Sequence, residues 1–258
     1  MDMERIINRL DMLVEKKDYE GAKELLAYWL QDAKEKENYR GLLSLSNESM
    51  GFFRKTGDKE HAVNCAETAL RLIERLGMEE TITAATTYIN AATVYKAFGM
   101  AEKGYPLFEK AKEIYEKDLK ENDARLGGLY NNMGLALLDL KRYEEAVDCY
   151  KKALDIMSRV KSGNLERAIT YLNIADVCDA IRRDKEASAK YPHTDEEWEK
   201  NIASCAELAM ECLNDEMIPR NGYYAFVAEK CAPGFDYYGY FMYKAELEKR
   251  IAEINENL

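Results

Sequence analysis

Helix breakers are scarce in this chain: its 258 residues include 4 prolines and 14 glycines, so little interrupts long helices. Histidine is scarcer, with His61 and His193 alone, and neither has a cysteine or a second histidine at metal-ligand spacing. No glycine-rich phosphate loop and no nucleophile-elbow motif occurs. No enzyme activity, catalytic residue, metal or cofactor is therefore expected. No apolar run reaches the roughly 20 residues of a membrane-crossing helix. Met1 to Leu10 mixes Asp2, Glu4, Arg5 and Arg9 with apolar side chains, the start of an amphipathic helix and not a signal-peptide core. Together these features predict a cytoplasmic protein whose six cysteines are reduced thiols. A basic excess is lacking too. With 37 Lys and Arg against 48 Asp and Glu the net charge is −11, which repels phosphate backbones, so nucleic acid is not an expected partner.

What the chain does have is a regular pattern. Hydrophobic residues make up 47% and charged residues 33%, a mix that suits a folded chain with a heavily solvated surface. Tyr88, Tyr130, Tyr171 and Tyr224 recur at a near-regular interval that lengthens at the last step. Four residues after each comes a small one: Ala92, Gly134, Ala175 and Ala228. A second series of small residues, Ala62, Gly104 and Ala146, is evenly spaced by the same interval. Apolar residues at i, i+3, i+4 and i+7 describe amphipathic helices, and the small residues let pairs of helices approach closely. Each unit is then a helical hairpin whose apolar face is buried when the next unit stacks on it.

Six hairpins are predicted: 2–16 with 19–36, 39–55 with 58–76, 80–98 with 101–119, 122–140 with 143–160, 164–182 with 196–213, and 221–232 with 235–255. Asp18 and Asp58 are expected N-caps, and Thr194 with Glu197 forms a capping box. An insertion at about 183–195 joins the helices of the fifth hairpin. Its first helix is expected to run on to about Lys190 before Pro192, and the insertion itself to emerge at one edge and contribute little to stability. Pro233-Gly234 is expected to turn the chain inside the aromatic-rich last hairpin, at about 221–255.

The stretch Tyr130 to Leu154, with Met133-Gly134, Tyr143, Ala146, Tyr150 and Ala153 at fixed offsets, resembles the tetratricopeptide repeat. The units are near 42 residues where that family usually has about 34, and in this they are similar to the repeats of kinesin light chains and of bacterial peptide-sensing regulators. The resemblance implies an all-α fold: an α-solenoid, a right-handed superhelix of about six hairpins forming a single domain over 1–258. It implies a scaffold that binds another protein or an extended peptide on the concave face lined by the first helices. The sensors usually carry an effector domain ahead of the repeats. Here the repeats start almost at once, which favours the plain scaffold over a peptide-sensing regulator.

Asn90, Asn132 and Asn173 share one column of consecutive first helices, with Asn8 and Glu48 at the same place earlier. In peptide-binding relatives such a column makes paired hydrogen bonds to a peptide backbone, and an amide suits this because it offers both donor and acceptor. The other reading is plain repeat consensus. The expected peptide site is Asn90, Thr93, Lys96, Asn131, Asn132, Leu135, Asn173, Asp176 and Arg54, with exposed amides at the asparagines. Arg54 and Lys96 lie toward the N-terminal end, and Asp139, Asp176 and Asp179 toward the other. These charges either orient a peptide or merely solvate a face. The lysine and arginine of a chaperone-carboxylate clamp are missing, since Ile169 and Asn173 occupy those places. The cysteines fall in packing columns, where a thiol acts as a small hydrophobe. Nine aromatics between Tyr223 and Tyr243 are either end-cap packing or a contact surface, a candidate for homodimerisation.

Overall fold

The computed structural model describes residues 1–191 and 193–256, and among these there are thirteen α-helices and no strand. One compact unit, Met1–Asp118, holds three helical hairpins. They are α1 (Met3–Glu15) with α2 (Tyr19–Glu35), α3 (Tyr39–Lys55) with α4 (Lys59–Arg75), and α5 (Ile82–Ala97) with α6 (Ala101–Asp118). The second unit, from Leu119 on, pairs α7 (Ala124–Asp139) with α8 (Tyr143–Ser158). Next come α9 (Asn164–Arg183), the short α10 (Lys185–Ser188) and α11 (Asp195–Leu213), then α12 (Gly222–Tyr237) and α13 (Phe241–Asn255).

Side chains mark where helices start. Asp18 and Asp58 accept from the backbone N–H of Gly21 and His61 at 3.0 and 3.2 Å, satisfying donors that a helix N-terminus leaves orphaned. Thr194 and Glu197 close the expected capping box, with bonds of 3.2 and 2.7 Å. Helix ends repeat a left-handed turn. At Lys17, Glu37, Gly57, Gly77, Gly99, Lys141 and Gly239 φ is positive. The next residue's N–H reaches back five residues to a carbonyl, as in Asp58 to Phe53 (2.9 Å) and Arg142 to Leu137 (2.9 Å). This is the helix-ending motif that glycine adopts without strain.

Small residues sit where helix pairs touch. Ala62, Ala66, Ala69, Ala92 and Ala146 are fully buried. A Cβ on Gly104 would lie 2.9 Å from the Ala92 carbonyl oxygen, and one on Gly134 would lie 2.4 Å from Cε1 of Tyr150. The Tyr150 ring is itself fully buried, so it has nowhere to retreat.

Two local expectations are corrected. The chain does not turn at Pro233-Gly234. Pro233 lies inside α12, while Gly234 faces Leu172, whose Cδ1 would be 3.4 Å from an added Cβ. The glycine serves close packing on α9, and the turn falls at Gly239 (φ +81). Nor does α9 run to Lys190. It stops at Arg183 because Asp184 caps a new helix, accepting from the N–H of Glu186 and Ala187 at 3.1 and 3.3 Å. The proposed stop at Pro192 lies outside the described residues.

The insertion also packs. Lys141 Nζ and the Tyr143 hydroxyl donate to Asp184 at 3.0 and 3.1 Å, Tyr191 donates to Glu144 at 3.0 Å, and Ala187 is buried. Lys141 first, then the backbone N–H groups, holds the Asp184 carboxyl down to about 2. A depressed acid contributes stability above its unfolded pKa of about 4 that is lost as pH falls through about 2.

Two outcomes follow for stability. Gly134→Ala gains roughly 1 kcal/mol of helix propensity, but overpacking against Tyr150 costs about 1–3 kcal/mol. A net loss in the denaturation midpoint is expected. Asp184→Asn should lower Tm at neutral pH and shrink the gap to wild type as pH falls from about 4 to about 2. A gap constant over that window would mean that ionisation of Asp184 contributes no stability.

Candidate peptide-binding surface

In the first unit an amide clasp ties α3 to α5. Asn47 accepts from Asn90 Nδ2 at 2.9 Å. Its own Nδ2 donates to Thr87 Oγ1 at 3.1 Å and to the Leu43 carbonyl at 3.0 Å. The same arrangement recurs in the second unit between α7 and α9. Asn131 donates to Thr170 Oγ1 at 2.8 Å and accepts from Asn173 Nδ2 at 3.4 Å. Thr87 and Thr170 are fully buried and donate back to the carbonyls of Thr83 and Glu166 at 2.9 and 2.7 Å. Buried polar groups must be paired in this way, because an unmade bond costs about 1–3 kcal/mol.

The clasps revise the expectation of exposed amides. Asn131 and Asn173 are 6% and 8% exposed, and their amides serve each other. Asn90 is half-buried and bonded to Asn47. Asn132 differs: it is half-buried on α7 like Asn90 on α5, but its side chain makes no hydrogen bond among the described residues. Asn47, Thr87 and Thr170 lie outside the peptide site expected from the sequence. The signal was present as an asparagine on one first helix followed, a repeat later, by Thr-x-x-Asn.

The other expected residues fall on the same helices. Leu135 is half-buried one turn beyond Asn132. Thr93 is half-buried and donates to the Ile89 carbonyl at 2.7 Å. Arg54 and Lys96 are half-buried on α3 and α5. Arg54 has no ion pair among the described residues, and burial pulls its pKa down. Asp176 accepts from the Tyr238 hydroxyl at 2.7 Å. Asp179 is buried and receives Arg182, Arg183 and the Tyr237 hydroxyl at 3.0, 3.0 and 2.9 Å. The acidic end is thus partly spent on holding α12 against α9.

The tyrosine-rich end is divided. Tyr224 and Phe235 are fully buried, while Tyr223, Tyr237, Phe241 and Met242 are 51%, 57%, 64% and 80% exposed. All six cysteines are free, and burial pushes Cys65 and Cys178 up to about 11 and Cys205 and Cys231 up to about 12. Such thiols are poor nucleophiles at neutral pH. Among the described residues no group of three or more His, Cys, Asp or Glu is placed to hold a metal, and no helix is long and apolar enough to cross a membrane.

The sequence profile of the tetratricopeptide repeat matches residues 125–191, the span of α7 to α10 that carries the second clasp. Residues 125–191 carry the tetratricopeptide repeat. No curated protein matches it. Among solved structures, BtubC (BKLC) from P. vanneervenii is similar, with 21% identity over 81% of this chain and 79% of that one, at a TM-score of 0.66. A putative kinesin light chain from Podosopora anserina with nearly identical TPR-like repeats has 14% identity over 83% and 95%, at 0.54. A Rap protein complexed with competence and sporulation factor has 14% identity over 96% and 73%, at 0.51. These likenesses concern the fold, an α-solenoid architecture of stacked tetratricopeptide hairpins.

Within the tetratricopeptide hairpins, then, neighbouring asparagines have opposite roles. Asn131→Ala should cost about 1–3 kcal/mol by stranding Asn173 in a buried site. Asn132→Ala should stay within about 0.5 kcal/mol of wild type. Chemical denaturation of the two variants separates them, and equal losses would refute the assignment.

Proposed function

We propose that this tetratricopeptide-repeat protein is a non-enzymatic scaffold that binds an extended peptide of another protein on its first-helix faces. The observation that carries this reading is Asn132. Its amide offers a donor and an acceptor, lies half-buried one turn from Leu135, and makes no side-chain hydrogen bond among the described residues. In the second unit Asn132, Leu135 and Asp176 are the proposed contacts, with Asn131 and Asn173 holding the helices behind them. In the first unit Arg54, Thr93, Lys96 and the outer edge of Asn90 form the corresponding face. The unpaired Arg54 favours acidic side chains there, and Asp139 and Asp176 favour basic ones in the second unit. The Rap protein, which shares the fold, is complexed with competence and sporulation factor, which supports a peptide as the class of ligand. Exposed Phe241 and Met242 favour a second reading, self-association through α13.

The test begins with a ligand recovered by pull-down on the intact chain and mapped to a minimal peptide. Asn132→Ala should weaken that peptide roughly 5- to 150-fold, equivalent to about 1–3 kcal/mol, with Tm unchanged. Full affinity in this variant would move the contact to another surface. A concentration-dependent dimer abolished by Phe241→Ser would establish the self-association reading.

A further inference from the structure

Tyr88, Tyr130, Tyr171 and Tyr224 occupy one column of the first helices, and each carries a cation over its ring. Lys110 lies 5.7 Å from the Tyr88 centroid, Lys152 5.1 Å from Tyr130, Arg167 5.9 Å from Tyr171 and Arg220 4.1 Å from Tyr224. In the second hairpin both partners are missing. One repeat before Tyr88 stands Ser46, and one repeat before Lys110 stands Thr68. Ser46 cannot fill the place of a phenol ring, and its hydroxyl is spent on the Leu42 carbonyl at 2.7 Å.

The consequence is a groove on the second-helix face of the first unit. Between α2 and α4, over a buried floor of Leu42, Ser46 and Phe53, it measures 850 Å³. The corresponding space between α4 and α6, where Tyr88 is present, measures 390 Å³. The α4 wall is a continuous stripe from His61 through Thr68 to Arg75, about 20 Å long at the helical rise. The α2 wall presents Ala27, Leu30 and Lys34. A trough walled along about four turns by α2 and α4 offers an elongated apolar surface of the kind that receives the apolar face of an amphipathic helix. The rim is positive in a chain of net charge −11. Lys34 and Arg71 are exposed and make no ion pair among the described residues. Arg75 stacks on Tyr39 at 3.9 Å, and Lys23 is paired with Asp58. Glu74 is the one carboxylate on the lining.

We propose that this groove seats an amphipathic helix of a partner protein, which places an aromatic side chain over Ser46 and acidic side chains against Lys34 and Arg71. The incoming ring lies on the floor above the buried Ser46, where the later hairpins present their own tyrosine, and the acidic edge answers the rim. This surface is separate from the first-helix faces, so neither proposal depends on the other.

The test uses the full chain and a fluorescein-labelled synthetic helix of about four turns, long enough to run the length of the trough, followed by anisotropy. The probe carries tyrosines at i and i+4 on one face and glutamates on both flanks. Binding by wild type is expected, at least 10-fold weaker to Ser46→Tyr, whose own ring fills the trough, and at least 10-fold weaker to the surface double variant Lys34→Glu/Arg71→Glu. A probe with alanine for tyrosine should lose a similar factor. Undiminished binding to Ser46→Tyr with its Tm at or above wild type would overturn the proposal. So would equal binding of a lysine-flanked probe, or no binding by wild type at millimolar peptide. Should Ser46→Tyr fail to fold, the rim variant decides by the same criterion. A dimer of wild type in sedimentation that Ser46→Tyr dissolves would assign the groove to a second copy, against a separate partner.

Discussion

Two helix backbones can lie against each other only where the side chains between them are little more than a hydrogen or a methyl group. That contact, at Gly104 against the Ala92 carbonyl, sets the register of its hairpin, and in the next hairpin Gly134 sets it by leaving room for the Tyr150 ring. Because the register repeats, side chains one repeat apart in the chain come to face each other on neighbouring helices. The tyrosine column, the amide clasps and the groove over Ser46 all follow from it. Dispersion and area burial hold the stack together, but the small residues decide which side chains meet.

The sequence carried this repeating part openly. A column of alanines and glycines at a fixed interval needs no knowledge of neighbours to be read, and the caps at Asp18, Asp58 and Thr194 are local chemistry within three residues. Features that depend on a second element were hidden. Asn131 and Asn132 are adjacent and chemically identical. Which one is consumed by the fold depends on Thr170 and Asn173 in the following repeat, and a column drawn through single helices does not show that pairing. Pro233 misled for a related reason: its neighbour Gly234 is small because Leu172 lies against it, a contact made by α9. The insertion looked like a free loop because its anchors, Lys141, Tyr143 and Glu144, belong to the preceding hairpin.

Charge is distributed by the same logic. Asp179 and Asp176 read as a solvated or ligand-facing acidic patch, yet tyrosine hydroxyls from α12 take up part of both carboxylates. Those bonds bring the tyrosines' polar ends to the acidic turn of α9 while Phe235 goes into the core, so the last hairpin is docked by hydrogen bonds along one edge and by apolar burial along the other. The positive groove rim of the first unit has no comparable internal neutralisation at Lys34 and Arg71.

The two clasps also say something about how such an array can lengthen. Asn47 and Asn131, Thr87 and Thr170, and Asn90 and Asn173 each stand two repeats apart in the chain. The hairpin that offers the accepting asparagine and the hairpin that offers Thr-x-x-Asn are different modules, and each is complete only beside the other. Loss of the third hairpin alone would leave Asn47 without its Thr-x-x-Asn, whereas loss or duplication of a clasped pair would leave every buried amide matched. Over α3 to α9 the buried amide pairing thus repeats as a doublet of hairpins, although the helical fold repeats hairpin by hairpin.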